Sequence, residues 1–163
     1  MILVTGATGS NGTELLKLLS ARGVPARAMV RSTDKAGAVA ALPGVEIMAG
    51  DFDDTPSLDR VLHGIEWAFL LTNSTDRAEA QQMAFVAAAK RGGVRHIVKL
   101  SQFAADEASP VRFLRYHAAV ERVIRETGLD YTFLRPNLCM QGLLGFASTN
   151  QGRRTVLCGR GRG

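Results

Sequence analysis

Two kinds of apolar pattern alternate along this chain. Short runs rich in Val, Ile and Leu are followed by longer stretches whose apolar residues recur every three or four positions. The first kind reads as buried strand and the second as amphipathic helix. The runs predict strands over 2–4, 26–30, 45–49, 66–72, 95–101 and 131–134. The periodic stretches predict helices over 10–22, 34–42, 56–63, 75–91 and 111–127. Punctuation agrees with these limits. Ser32 or Thr33 caps the second helix, and Pro43-Gly44 stops it. Thr55 with Pro56 opens the third, and Gly92-Gly93 and Gly128 close the last two. After Pro136 the pattern fades, with Leu143, Leu144 and Phe146 marking one more helix start.

Strict alternation of strand and helix demands a parallel sheet covered on both faces, joined by right-handed crossovers. The expected fold is therefore α/β, a doubly wound parallel sheet of strand order 3-2-1-4-5-6. Residues 1–136 form this domain. Residues 137–163 form a stub beyond it, ending in a Gly- and Arg-rich tail.

The turn after the first strand changes the picture most. It reads TGATGSNG and places Gly6, Gly9 and Gly12 between a strand and a helix. Backbone N–H groups at a helix N-terminus bind anions, and the helix dipole favours them. Gly6 permits the tight turn, Gly9 leaves room for a pyrophosphate, and Gly12 lets the helix pack close. Thr8, Ser10 and Asn11 add polar side chains to the loop.

Net charge of +5 suggests a nucleic-acid partner, but residues 151–163 carry four of those charges through Arg153, Arg154, Arg160 and Arg162. The body is near neutral, without the basic stripe a nucleic-acid face needs. No apolar run is long enough for a membrane span, and the first residues lack the basic-then-apolar pattern of a secretory leader. A cytoplasmic location is expected, with Cys139 and Cys158 as free thiols.

Ligands of such sheets bind beyond the carboxyl ends of the strands. Strand two ends in Arg31, where an NAD site would carry Asp or Glu. An arginine pairs with a 2′-phosphate instead, so NADP is the expected cofactor ahead of NAD, with Lys35 in support. Strand three ends in Asp51-Phe52. These residues suit an adenine amino group and ring, and equally an Asx turn with a core aromatic. Thr72 and Asn73 end strand four, on the ribose and nicotinamide side. Ser101 ends strand five, facing the nicotinamide, with Lys99 on the same side. His117 and Glu121 share a helix face, as an ion pair or as half of a metal spacing that lacks a third ligand; no metal is expected.

TGATGSNG, Arg31, GDFDD at 50–54, HAAVE at 117–121 and GLDYTFLRPN at 128–137 together resemble the NmrA-like atypical short-chain dehydrogenases/reductases. The resemblance implies NADP(H) binding and one of two roles. The first is a reductase of a quinone or related carbonyl acceptor. The second is a non-catalytic redox sensor that reports to a regulatory protein. It places Gly6, Gly9 and Gly12 at the phosphates, Arg31 and Lys35 at the 2′-phosphate, Asp51-Phe52 at the adenine and Asn137 by the nicotinamide. His117 falls where many relatives carry the lysine that holds the nicotinamide ribose. The general-acid tyrosine position then falls on Phe113, which donates no proton. Catalysis would rest on His117 with Ser101 as orienter, and turnover by this chain would be weak. The resemblance also implies that the chain ends where a substrate-side lobe would begin. The apolar residues of 138–146 would then seek a partner, giving a homodimer or aggregation.

Overall fold

The computed structural model describes residues 1–137. Six strands form one all-parallel sheet: β1 (Ile2–Val4), β2 (Ala26–Val30), β3 (Val45–Ala49), β4 (Trp67–Leu70), β5 (His96–Leu100) and β6 (Asp130–Leu134). Their order is β3-β2-β1-β4-β5-β6, as the alternation demanded. Four α-helices connect them: α1 (Ser10–Ala21), α2 (Thr55–Leu62), α3 (Ala78–Arg91) and α4 (Arg112–Thr127).

The sheet sorts its side chains by parity. Leu3, Met29, Ala68, Leu70 and Ile97 face a core built with α2, α3 and α4. Val4, Ala28, Val30 and Phe69 face a second core with Leu16 of α1 and Val39. Burial on both faces explains why the central strands β1, β2 and β4 read as near-continuous apolar runs. Arg27 is the exception inside β2. Its Nε donates to Glu46 on β3 at 2.9 Å, and Nη1 donates to the Val61 and His63 carbonyls, each at 2.8 Å. The guanidinium thus satisfies carbonyls at the end of α2 that the helix leaves open.

Three boundaries differ from the pattern. The segment expected as a helix over 34–42 is two 3-10 turns, Thr33–Lys35 and Gly37–Ala41. Gly37 sits at φ +55°, which no continuous right-handed helix accommodates. Asp54, not Thr55, occupies the N-cap of α2, and Pro56 lies inside its first turn. The helix expected from 75 begins at Ala78, and Leu71, Thr72, Asn73, Thr75 and Arg77 before it line a cleft. No helix among the described residues is long and apolar enough to cross a membrane. The helix start at Leu143, the two cysteines, the apolar stretch 138–146 and the basic tail lie outside the described residues.

Candidate functional site

The site lies where the sheet order reverses, at the ends of β1 and β4. Thr5 fixes this point. Its hydroxyl donates to the Leu71 carbonyl at 2.9 Å and accepts from the Leu71 N–H at 2.8 Å. The chains leaving β1 and β4 then part, and a cleft of about 650 Å³ opens between them.

One wall is the glycine loop. Gly6 turns at φ +61°. Gly9 is the N-cap of α1 and carries no side chain to cap it, so the N–H groups of the first turn stay available to an anion. A Cβ at Gly9 would meet only the Gly6 carbonyl, at 3.3 Å. A Cβ at Gly12 would lie 2.2 Å from that same oxygen and 2.8 Å from Ala7 Cα, so close packing of helix on loop requires glycine there. Thr8, Ser10 and Asn11 line the cleft beside Gly6 and Gly9.

The opposite wall comes from β2, β3 and the segment after β4. Arg31, Asp51, Phe52, Thr72 and Asn73 all line the cleft. Asp51 and Phe52 form the Asx turn and the core aromatic, and both also border the cleft. Asp51 Oδ1 accepts from the Asp53 N–H at 3.0 Å in the turn, and Phe52 tilts against Phe85 at 5.8 Å. Lys35 lies on an exposed 3-10 turn and is not among the lining residues. Sequence reasoning missed Arg77 and Gln81. They reach Asp53 at 2.8 and 3.0 Å and tie α3 to the β3–α2 loop at the cleft edge.

A smaller cavity of about 160 Å³ adjoins the cleft and shares Leu71 and Thr72 with it. Ser101, His117, Phe113, Asn137 and Gln82 line it. Asn73 does not, and borders the larger space. Gln82 is buried. Its Nε2 donates to Thr72 Oγ1 at 2.8 Å, and its Oε1 has no partner. Phe113 meets the His117 ring edge-on at 4.8 Å. Tyr116 packs against the His117 ring at 4.4 Å with its hydroxyl 3.4 Å from Ser74 Oγ, and is not itself a lining residue of either space. Burial pushes its phenol up.

Beneath the cavity the polar pairing differs from the expected one. His117 and Glu121 are not partners. Lys99, on the α4 side of β5, is fully buried and places Nζ 2.7 Å from His117 Nδ1. Glu121 is also buried and takes four donors. Ser101 Oγ donates at 2.5 Å, Arg135 Nε at 3.0 Å and Arg125 at 3.0 Å, with a further short bond from the Arg135 terminal nitrogen. Ser101 thus gives its hydroxyl proton to Glu121 while still lining the small cavity. Burial raises the Glu121 carboxyl, but the bonds from Arg135 and Ser101 and the charges of Arg135 and Arg125 outweigh it and hold the group below the usual range. Burial lowers Lys99 to about 7, against the pull of Glu121. Burial, with the neighbouring Lys99 charge, lowers His117 to about 3. A visible signal existed for Lys99. It shares parity with Ile97, a core position, so a lysine there is buried unless the strand ends early.

The NmrA-like family model matches residues 1–157. The chain belongs to the NmrA-like family. Among curated relatives of this NmrA-like chain, a (4-alkanoyl-5-oxo-2,5-dihydrofuran-3-yl)methyl phosphate reductase of Streptomyces griseus is 38% identical over 148 residues. The match covers 90% of this chain and 51% of the relative. Two solved structures align with 31% identity. The Citrobacter sp. triphenylmethane reductase complexed with NADP(H) has a TM-score of 0.82, and the NADPH-dependent quinone oxidoreductase of Escherichia coli complexed with NADPH has one of 0.81. Each alignment covers 93% of this chain and 55% of the other. The chain thus spans about half the length of the relatives it matches.

Proposed function

We propose that this chain binds NADP(H) in the large cleft and reduces a small unsaturated acceptor, a quinone or related carbonyl compound, at the small cavity. The observation that carries the reading is the bare N-terminus of α1 at Gly9 opening on the same cleft as Arg31. Phosphates suit the first, and a 2′-phosphate suits the second. The buried Gln82 Oε1 adds to the fit. It is an acceptor without a donor beside the small cavity, and the amide of a nicotinamide is a donor. Two structural neighbours are reductases complexed with NADP(H) or NADPH.

The bound cofactor supplies hydride, which is the hard chemistry of such a reaction. The chain's own residues bind, orient and deliver a proton. The α1 N-terminus and Arg31 hold the phosphates, Asp51 and Phe52 border the adenine side, and Thr72, Asn73 and Asn137 lead toward the reacting end. His117 lies where an acceptor oxygen can be met and takes the proton-donor role that Phe113 cannot fill. Phe113 is also the one observation that favours a second reading, an NADP(H) sensor that reports to a regulatory protein. Mixing the chain with NADPH and menadione and following NADPH absorbance separates the two. Turnover lost in His117→Ala is the reductase result, and binding without turnover is the sensor result.

A further inference from the structure

Lys99 stands out among the buried groups. A fully buried lysine is costly unless an anion faces it directly. The nearby carboxylate does not serve that need, because both oxygens of Glu121 are taken by Ser101, Arg125 and Arg135. Lys99 instead faces the His117 ring at 2.7 Å and the Leu100 carbonyl at 3.5 Å. Tyr116 on α4 bonds toward Ser74 and Gln82 on α3 toward Thr72, and Ser101, Gln102 and Asn137 line the cavity beside His117.

We propose that Lys99 supplies, through His117, the proton that completes reduction of an acceptor at the small cavity. The inference rests on the reductase reading above. In its ammonium form Lys99 has three donors and no acceptor, so in that state His117 Nδ1 accepts this bond. The neutral ring then carries its proton on Nε2, the remaining nitrogen of a residue that lines the cavity. When hydride has reached the acceptor, its oxygen is left negative. The Nε2–H proton passes to that oxygen, and the Lys99 proton passes to Nδ1. The product is the neutral reduced acceptor, with Lys99 as the free amine. A solvent proton, carried by water into the emptied cavity, reaches Nε2, and the Nδ1 proton returns to Lys99, so each turnover consumes one proton from solution. The ring never needs to flip, and no further reductant is used. With burial holding Lys99 to about 7, the proton given up has an acidity suited to neutral pH. Lys99 acts through His117 and is a positioning and proton-supplying residue.

The test compares two acceptors on the full chain with NADPH. Menadione needs a hydride and a proton. The cationic dye crystal violet becomes neutral by taking hydride alone. Lys99→Met is expected to lower kcat for menadione by about a hundredfold or more, the scale of a lost general acid. Crystal violet reduction should stay within about threefold, because hydride positioning is intact. Nitrogen-15 spectra of the imidazole give a readout without turnover. Wild type should show the Nε2–H tautomer and stay neutral at pH 5, while Lys99→Met should show mixed tautomers and titrate at higher pH. On wild type alone, menadione reduction in mixed light and heavy water should give a bowed, two-proton plot. Equal loss with both acceptors, an Nδ1–H tautomer in wild type, or a linear plot would overturn the relay and leave the reductase reading standing. Absence of wild-type turnover with either acceptor would overturn the reductase reading and the relay with it.

Discussion

Gly9 and Lys99 show how single positions set this site. Gly9 leaves the first turn of α1 uncapped by any side chain and open to the cleft. Gly9→Val would fill that opening with a β-branched group, while the surrounding backbone lies no nearer than 3.3 Å to the new Cβ. The expected outcome is loss of measurable cofactor binding by calorimetry with an unchanged circular dichroism spectrum. Lys99 carries a stability signature. It loses its proton near pH 7 when folded and near 10.5 when unfolded. Between those values the unfolded chain binds more protons here, so this residue makes stability rise with pH across that window. His117, lowered from 6.5 to about 3, does the same across the acid window, so stability falls as pH drops from 6.5 toward 3. Lys99→Met is expected to abolish the alkaline rise and to stabilise the chain at neutral pH by on the order of 1–2 kcal/mol. Urea denaturation at stepped pH measures both.

At the level of elements, the approach of α1 to the loop before it is the tightest constraint. Gly12→Ala places a Cβ 2.2 Å from the Gly6 carbonyl, so helix and loop must separate. A loss of about 1–3 kcal/mol or more is expected from such overpacking, visible as a lower urea midpoint. The central strands were legible in the sequence because residues buried on both faces leave near-continuous apolar runs, and the sheet order followed from the alternation. The segment after β2 was not legible as 3-10 turns. Its apolar spacing at Ala36 and Val39 fits either helix type, and the left-handed Gly37 decides against the longer one. The start of α3 was misplaced for a similar reason. Thr75 resembles a cap, but it lines the cleft with Thr72 and Asn73, and Arg77 is drawn to Asp53. Of the site, the glycine loop was legible because its geometry is local. The Lys99–His117 pair was not, because it joins β5 to α4 across eighteen positions and depends on Glu121 being occupied by Arg135.

Taken as a whole, the molecule is a sheet whose strand order changes direction at β1 and β4 and opens a cleft there. That cleft carries an uncapped helix N-terminus and Arg31, and the smaller cavity beside it carries His117 backed by buried Lys99. Family membership and the two NADP(H)-complexed neighbours agree with a dinucleotide as occupant. The guanidinium at the end of β2 is expected to select NADP(H) over NAD(H). The most direct test is calorimetric titration of the chain with NADPH and NADH, repeated on Arg31→Ala. Wild type is expected to bind NADPH more tightly, and Arg31→Ala to lose about 1.5–3 kcal/mol for NADPH alone, the scale of a charged hydrogen bond. Equal affinity for the two cofactors, or an Arg31→Ala variant that binds NADPH as well as wild type, would contradict it.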